Sequence, residues 1–373
     1  MKRASNSDAL SCRGICGLVA VLILALASCA APTPTTLPED AVEIGTPATG
    51  VNTAQATVVE STPAAEPLCT PPPCASGEVY QCPGSCPGGC GTLCATATAP
   101  TTTAETAFNA ERSFAFLEAQ MAFGPRYPGS PGHEQVGDYI VATLAEYGWQ
   151  VEEQTFDYRD IQGRNIIGRA NQGKGDIIII GAHYDTRRVA DQSPGLLAQE
   201  PVPGAVDGAS GVAVLLELAR VLDLEKVSHE VWLAFFDLED QGSGGMSDWN
   251  WIVGSTYMAE HLRVAPQAMV LVDMVGDADQ QLYYEGNSDL ALREEVWSVA
   301  ATLGFEQWFI PEVRYTMIDD HVPFVEQQIP ALDLIDFDYP YWHTVEDTAD
   351  KASPQSLMRA GRTLEEWLEV HLD

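Results

Sequence analysis

Hydrophobic and polar residues follow one another along residues 105–373 in the pattern of an α/β domain. Four isoleucines at 177–180 form a continuous apolar run, which predicts a strand buried on both faces of a sheet. Similar patterns predict five further strands, at residues 150–158, 164–169, 230–237, 268–275 and 330–335. From the isoleucine run onward the strands are separated by segments long enough to hold helices, so a largely parallel sheet is expected.

Apolar residues recur at helical spacing between most of these strands. This spacing predicts six helices, at residues 107–123, 134–147, 208–222, 253–262, 290–303 and 354–372. Gly304 follows the fifth of them, where a glycine commonly ends a helix. Residues 105–373 are therefore expected to form a single globular α/β domain with a mixed, mostly parallel central sheet and helices on both faces.

The first 29 residues have the layout of an export signal. Lys2, Arg3 and Arg13 precede an apolar run at 15–27, which is too short for a comfortable membrane span. The small residues before Cys29 resemble a bacterial lipoprotein cleavage box, which predicts a lipid anchor on Cys29. An ordinary secretory signal is the alternative. In either case we expect export, with the protein lipid-anchored at the outer face of the bacterial cell membrane or secreted.

Residues 30–104 are rich in Thr, Pro and Ala, and this composition predicts a disordered tether. An even number of cysteines in an exported segment favours disulfides over a zinc site. The six cysteines of this segment are Cys69, Cys74, Cys82, Cys86, Cys90 and Cys94. Their pairing stays open. No cysteine follows residue 94, so the large domain has to be stabilised by its core alone.

The net charge of the chain is -34, from 19 Lys and Arg against 53 Asp and Glu. A protein that binds nucleic acid needs clustered basic residues to neutralise phosphates. This balance argues against nucleic acid as a partner and favours a neutral or cationic substrate.

Isolated acids and histidines follow several of the predicted strands and turns. Each has an ordinary structural explanation, such as a hydrogen-bonded core histidine at 183 or a helix N-cap at 207. Together they favour a metal site, because imidazole nitrogen and carboxylate oxygen are zinc ligands and buried carboxylates need partners. These residues are His183, Asp185, Asp207, Glu239, Asp240, Asp273 and His343.

Six separated motifs give this pattern a family resemblance. They are a Gly-Pro-Arg loop at 123–130, His-x-Asp at 183–185, Asp-Gly-x-Ser-Gly at 207–211, an acidic pair at 239–240, Asp-Met at 273–274 and Trp-His-Thr at 342–344. In this order they resemble the superfamily of zinc aminopeptidases and glutaminyl cyclases, over nearly the whole globular domain.

The resemblance implies one of two metal sites. In the two-zinc aminopeptidases, Asp207 would bridge the ions, with Asp240 and His343 at one ion and His183 and Asp273 at the other. In the cyclases, a single zinc would be held by Asp207, Asp240 and His343. We therefore expect Zn²⁺ as cofactor, one ion or two, with His183 as a ligand only if the second site is used.

The cyclase branch also implies roles for the remaining residues. Glu239 would transfer a proton, and Asp273 and Asp319 would help to hold it. Asp185 is also expected to be a catalytic residue. Trp342 and His321 are predicted to bind the substrate. The segment 318–324 and Trp342 favour this branch over the aminopeptidases.

Two positions depart from the family pattern. Asp240 is one methylene shorter than the usual glutamate, and Asp333 stands where animal cyclases have histidine. Neither removes the core of the site.

The resemblance therefore implies a glutaminyl cyclase, expected to convert the N-terminal glutamine of peptides or proteins to pyroglutamate with release of ammonia. A two-zinc aminopeptidase is the alternative. A third hypothesis is a non-enzymatic binding or stalk protein, in which the tether and its cysteines carry the function.

Overall fold

The computed structural model describes residues 78–80, 94–96 and 107–372. The chain separates into two units, residues 1–95 and 96–373. Strands β1 (Glu78–Tyr80) and β2 (Cys94–Thr96) form a small two-stranded sheet. The predicted export signal, most of the tether and the cysteine pairing lie outside the described residues. Within them, no helix combines the length and apolarity that a membrane span requires.

A six-stranded mixed sheet forms the centre of the globular domain. Its strand order is β10-β7-β5-β6-β4-β3. Neighbouring strands from β10 to β6 are parallel, whereas β4 runs antiparallel to both β6 and β3. The strands are β3 (Gln150–Tyr158), β4 (Ile161–Ala170), β5 (Ile177–His183), β6 (Glu230–Phe236), β7 (Ala268–Asp273) and β10 (Ala331–Ile335). The predicted mixed, mostly parallel sheet is confirmed.

Seven α-helices are found among the described residues, six of them close to predicted positions. They are α1 (Ala110–Met121), α2 (Pro131–Glu146), α3 (Ala209–Val221), α4 (Val253–Glu260), α5 (Leu290–Thr302), α6 (Val322–Glu326) and α7 (Pro354–Glu366). A π-helical turn, Trp367–His371, continues α7, and short 3₁₀ helices occupy Gly195–Gln199 and Ala349–Lys351.

Apolar side chains pack on both faces of the sheet. Ile178 and Ile180 of β5 join the larger core cluster, which includes residues of α1, α3 and α7. Ile179, between them, points to the opposite face and packs with residues of α4 and α6. Helix α3 is buried at every position except Arg220, so it is enclosed within the domain. Helices therefore cover both faces, as the sequence predicts.

A second, two-stranded parallel sheet was not predicted. It pairs β8 (Leu282–Glu285) with β9 (Phe309–Tyr315) and lies beside β10. Strand β8 is too short to show a periodic pattern, and β9 contains Pro311 and mostly exposed side chains. Since the hydrophobic pattern reports burial, a mostly exposed strand gives little signal.

Candidate metal and catalytic site

The carboxyl edge of the parallel strands carries most of the candidate site. His183 is the last residue of β5, and Asp273 is the last residue of β7. Glu239 and Asp240 follow the end of β6, and Asp207 lies just before α3. Because β5, β6 and β7 are parallel neighbours, their carboxyl ends meet at one edge of the sheet. The fold thus brings together residues far apart in sequence.

Three buried residues form the first group that could hold a metal ion. Asp207, Asp240 and His343 each offer one atom, and these atoms lie within 4.8 Å of one another. The Nε2 atom of His343 is 3.0 Å from Oδ1 of Asp240 and 3.7 Å from Oδ2 of Asp207. This is the set that the cyclase resemblance names.

A second group shares Asp207 with the first. Nε2 of His183 lies 3.2 Å from Oδ1 of Asp207 and 3.1 Å from Oδ1 of Asp273. The ligand atoms of these three buried residues also lie within 4.8 Å of one another. Asp207 therefore turns one oxygen to each group. The first group alone is the ligand set that the resemblance gives for one zinc ion, and the two groups together are the set that it gives for two.

The donor atoms suit a zinc ion. Oδ2 of Asp207 and Oδ2 of Asp240 are buried, and neither accepts a hydrogen bond from the described residues. Buried carboxylate oxygens normally accept a hydrogen bond or bind a cation, so these two oxygens are free to bind a metal ion. Each group also supplies three nitrogen or oxygen ligands, and catalytic zinc sites commonly combine three such ligands with one open position.

The electric field at the ligands favours positive charge. Burial alone would lower the pKa of His343, but Asp240 and Asp191 raise it to about 9. Burial likewise opposes protonation of His183, yet Asp273 and other carboxylates hold its pKa well above the usual range. The same carboxylates would stabilise a divalent cation between the two rings.

Glu239 has the environment of an acid–base group. It is buried beside Asp240 and lines the candidate pocket. Burial raises the pKa of Glu239 well above its ordinary value, with His183 opposing and Asp240 adding to the rise. A carboxyl group with a raised pKa can both accept and donate a proton near neutral pH.

Asp185 lies behind the site and has no contact with the pocket. Its carboxylate accepts hydrogen bonds from the backbone nitrogens of Glu239 at 2.9 Å and Asp240 at 3.3 Å, and from Nε2 of Gln241 at 3.2 Å. Burial would raise the pKa of Asp185, but His183 and the backbone amide of Glu239 lower it. Asp185 thus fixes the loop that carries a ligand and the acid–base group.

A cavity of about 250 Å³ opens over these residues. The ring of Trp342 stacks on that of His343, with 3.7 Å between the centroids, and the ring of Trp251 also stacks on His343, at 6.0 Å.

Asp319 reaches the cavity from the loop before α6. Burial and then Asp333 raise the pKa of Asp319 well above its usual range. The lining consists of Asp207, Glu239, Asp240, Trp251, Asp273, Met274, Thr316, Met317, Ile318, Asp319, Ile335, Phe337, Trp342 and His343.

His321 does not reach this cavity. It is fully buried, with Nε2 3.1 Å from Oε2 of Glu285 and Nδ1 3.6 Å from Oδ2 of Asp333. This placement does not favour the predicted contact with substrate, because a side chain enclosed by β8 and β10 has no free face. The adjacent Asp319 is the residue of this loop that faces the cavity.

Two residues of the site gave no signal in the sequence. Arg187 donates to Asp191 through Nε at 3.0 Å and Nη2 at 2.9 Å, and to the carbonyl oxygen of Asp240 at 3.0 Å. Oδ1 of Asp191 lies 3.3 Å from Nδ1 of His343. A carboxylate behind a histidine commonly orients the ring toward a metal. Both residues lie in a loop without periodicity, so only the fold reveals them.

Backbone strain marks the same edge of the sheet. Leu238, Met274 and His343 have positive φ angles of 60°, 49° and 56°. Such conformations cost side-chain-bearing residues on the order of 1 kcal/mol or more and concentrate at functional sites. Here each lies at, or next to, a residue that faces the cavity.

Comparison with known proteins agrees with this geometry. Glutaminyl-peptide cyclotransferase of Drosophila melanogaster is 29% identical over 266 residues, which cover 60% of this chain and 71% of that protein. The structure of Porphyromonas gingivalis glutaminyl cyclase is 34% identical with a TM-score of 0.67, covering 70% of this chain and 98% of that one. A leucine aminopeptidase precursor from Bacteroides thetaiotaomicron is 30% identical with a TM-score of 0.68, covering 71% and 98%. Residues 165–368 match the model of peptidase family M28. Because this match spans more than half of the chain, the chain belongs to that family.

Proposed function

We propose that this protein is a zinc-dependent glutaminyl-peptide cyclotransferase, which converts the N-terminal glutamine of peptides or proteins to pyroglutamate and releases ammonia. The observation that carries the proposal is a buried glutamate with a raised pKa, Glu239, beside a preformed set of zinc ligands in a small aromatic cavity. The similarity to proteins named as glutaminyl cyclases supports the same reaction.

Asp207, Asp240 and His343 would hold the zinc ion. When bound, zinc supplies Lewis acidity toward a carbonyl oxygen, here that of the glutamine side chain. The cavity, at about 250 Å³, is slightly smaller than the usual range for ligand pockets of about 300–1,000 Å³, which suits a single residue at a chain terminus.

Glu239 would transfer the proton that the reaction requires. The α-amino nitrogen forms a bond to the carbonyl carbon of its own side chain, and the bond from that carbon to the amide nitrogen breaks. Glu239 accepts a proton from the attacking nitrogen and donates it to the departing nitrogen, which leaves as ammonia. One carboxyl group therefore acts first as base and then as acid.

The other cavity residues would support this transfer. Asp273 and Asp319 line the cavity with Glu239 and would orient the amino group and retain the proton. Trp342 would pack against the substrate side chain, and with Trp251 and Phe337 it would limit the entry of water. Excluding water matters because hydrolysis of the side-chain amide would compete with cyclisation.

Aminopeptidase activity is the second candidate, favoured by the group His183, Asp207 and Asp273. With this group also occupied, the two ions would share Asp207, and Glu239 would activate water rather than an amine. Metal content separates the candidates. Two tightly bound zinc ions per chain, both needed for activity, would favour the peptidase.

The reaction is tested with a peptide that begins with glutamine. Incubation with the purified protein should release ammonia and leave a blocked N-terminus, while a peptide beginning with leucine should stay intact. Release of free amino acids from either peptide, without ammonia from the first, would refute the cyclase in favour of the peptidase.

The position of the enzyme in the cell is a further part of the proposal. We propose export and lipid attachment at Cys29, with residues 30–104 as a tether between membrane and catalytic domain. The basic N-terminus, the short apolar run and the small residues before Cys29 support this arrangement.

A further inference from the structure

Asp347 connects two of the three loops that carry ligands of the first metal group, those of Asp207 and His343. Its Oδ1 accepts a hydrogen bond from the backbone nitrogen of Val206 at 2.8 Å, and its Oδ2 accepts one from that of Asp207 at 3.2 Å. Its backbone carbonyl accepts from the nitrogen of Ala205 at 3.2 Å. Three successive amides before α3 are therefore bound by one residue.

The same residue belongs to the turn that presents His343. The backbone nitrogen of Asp347 donates to the carbonyl of Thr344 at 3.3 Å, which closes the turn after the histidine. The hydroxyl of Tyr339 donates to Oδ1 of Asp347 at 2.7 Å. Asp347 is fully buried and Tyr339 nearly so, which means that water does not compete for these bonds.

We infer that Asp347, held by Tyr339, is a positioning residue that fixes Asp207 relative to His343 and thereby sets the affinity of the site for zinc. Zinc binds nitrogen and oxygen ligands within a narrow range near 2.0–2.2 Å, so small movements of a ligand loop weaken it. Loss of groups that orient ligands typically lowers metal affinity about 10–100-fold. The inference rests on the proposed zinc site but not on which reaction occurs there.

Asp347→Asn is the direct test, because it keeps the size of the side chain while replacing one acceptor oxygen by a donor that faces the backbone amides. Its zinc dissociation constant, from competition with a chromogenic chelator, should rise about 10–100-fold. Tyr339→Phe, which removes one oxygen atom, should raise it by a smaller factor. The absorption spectrum of the cobalt-substituted protein should change in both variants, since it reports ligand geometry.

Asp336→Asn is the matched control. Asp336 is also fully buried and accepts from two backbone nitrogens, those of Gln281 at 2.8 Å and Asp338 at 3.2 Å, but its carboxylate makes no hydrogen bond to the loops of Asp207 and His343. It should lose thermal stability without losing zinc affinity.

Three outcomes decide the matter. A wild-type zinc affinity in a folded Asp347→Asn variant would overturn the inference and leave Asp347 a merely structural residue. If that variant does not fold, unchanged affinity in Tyr339→Phe overturns it instead. If the wild-type protein binds no zinc, the proposed centre itself fails and the inference fails with it.

Discussion

Glu239 and Asp240 are neighbours in sequence, yet their carboxyl groups are prepared for different tasks. Asp185 accepts hydrogen bonds from both backbone amides, which fixes the loop with Asp240 in the ligand group and Glu239 beside it in the cavity lining. Burial raises the pKa of Asp240 only to about 6, and contacts with His343 oppose the rise. Glu239 makes no ion pair with His343, and its pKa is raised well above the ordinary value. Glu239 is therefore the carboxyl group that can take up and release a proton.

Glu239→Gln should therefore separate catalysis from metal binding. The variant keeps the shape of the side chain but cannot accept a proton, so kcat for ammonia release should fall about 10²–10⁴-fold. Zinc affinity should stay at the wild-type value. Glu312→Gln, at an exposed position of β9, is the control and should retain full activity. A Glu239→Gln variant with the wild-type rate would remove Glu239 from the mechanism.

The residues of the candidate site differ in how visible they are in the sequence. His183 and Asp273 are noticeable because a polar residue ends an apolar run, which is unusual for burial. Asp347 and Asp191 act through hydrogen bonds or ion pairs to residues about 140 or more positions away, and nothing in their local sequence marks them. Metal ligands and acid–base residues can be predicted from the sequence pattern, whereas the contacts that orient these side chains depend on the fold.

At the scale of elements, the start of α3 is the most constrained point of the site. Gly208 has a φ of 98°, and a Cβ atom there would lie 2.9 Å from the carbonyl oxygen of Asp185 and 3.2 Å from Cε1 of His183. The helix can therefore begin at Ala209, two residues after the ligand Asp207, only because residue 208 has no side chain.

Gly208→Ala should destabilise the domain and weaken zinc binding together. The positive φ and the close contacts each oppose a side chain, so the unfolding free energy should fall by about 1–3 kcal/mol. Gly148→Ala is the control, because Gly148 also has a positive φ but open space around it. It should lower stability less and leave zinc affinity unchanged, as measured by chemical denaturation and chelator competition. Equal effects of the two variants on zinc affinity would contradict this account.

The turn after β8 provides a test of pH dependence. Glu285 accepts hydrogen bonds from the backbone nitrogens of Asn287, Ser288 and Met317, and its Oε2 lies 3.1 Å from His321. Burial would raise the pKa of Glu285, but His321 and the backbone amides of Asn287 and Met317 lower it from 4.5 to about 2. A lowered pKa stabilises the folded state above pH 4.5, and this stabilisation is lost as the pH falls toward 2.

Glu285→Gln should consequently lower the unfolding free energy at pH 7 by roughly 3 kcal/mol, since one pKa unit corresponds to about 1.4 kcal/mol. The difference from the wild type should shrink between pH 4.5 and 2, when the wild-type carboxylate takes up its proton. Denaturant titrations at several pH values measure both effects. Glu306→Gln, at an exposed position after α5, should show neither. A difference that stays constant with pH would argue against a charged Glu285.

The elements themselves were largely predictable. Strands buried on both faces, such as β5, and the enclosed helix α3 produce strong apolar patterns. Helix α6 has five residues and β8 four, which is less than the pattern needs to repeat. Helix α2 begins at Pro131, three residues before its predicted start, because Ser130 caps it through the nitrogen of His133. Short and terminal segments depend on contacts and caps that apolar spacing does not report.

At the scale of the whole molecule, the cysteines and the catalytic site are kept apart in the chain. All nine cysteines lie at or before residue 94, and every residue of the candidate site lies after residue 180. The large domain therefore relies on apolar packing, chiefly in its two largest core clusters, which lie one on each face of its sheet.

A reducing agent should accordingly leave the catalytic domain unaffected. Treatment of the full chain with a phosphine reductant should change neither its rate of ammonia release nor the midpoint of its main thermal transition. Mass spectrometry with a thiol-labelling reagent confirms that the cysteines have been reduced. A phosphine is preferred because thiol reductants bind zinc. Loss of activity on reduction, with zinc still bound, would show that the cysteine-containing segment supports the active site.

The proposed lipid anchor makes a prediction about where the enzyme is found. Lipid attachment to a lipoprotein requires the thiol at the cleavage site, so Cys29→Ser should move the protein from the membrane fraction to the soluble fraction of a bacterial host. Cys12→Ser is the matched control, because Cys12 lies within the same predicted signal but not at the cleavage site. It should leave the protein on the membrane, where its activity should be released by proteolysis within residues 30–104. Equal membrane association of both variants would exclude Cys29 as the anchor, and a wild-type protein found only in the medium would favour the ordinary secretory signal.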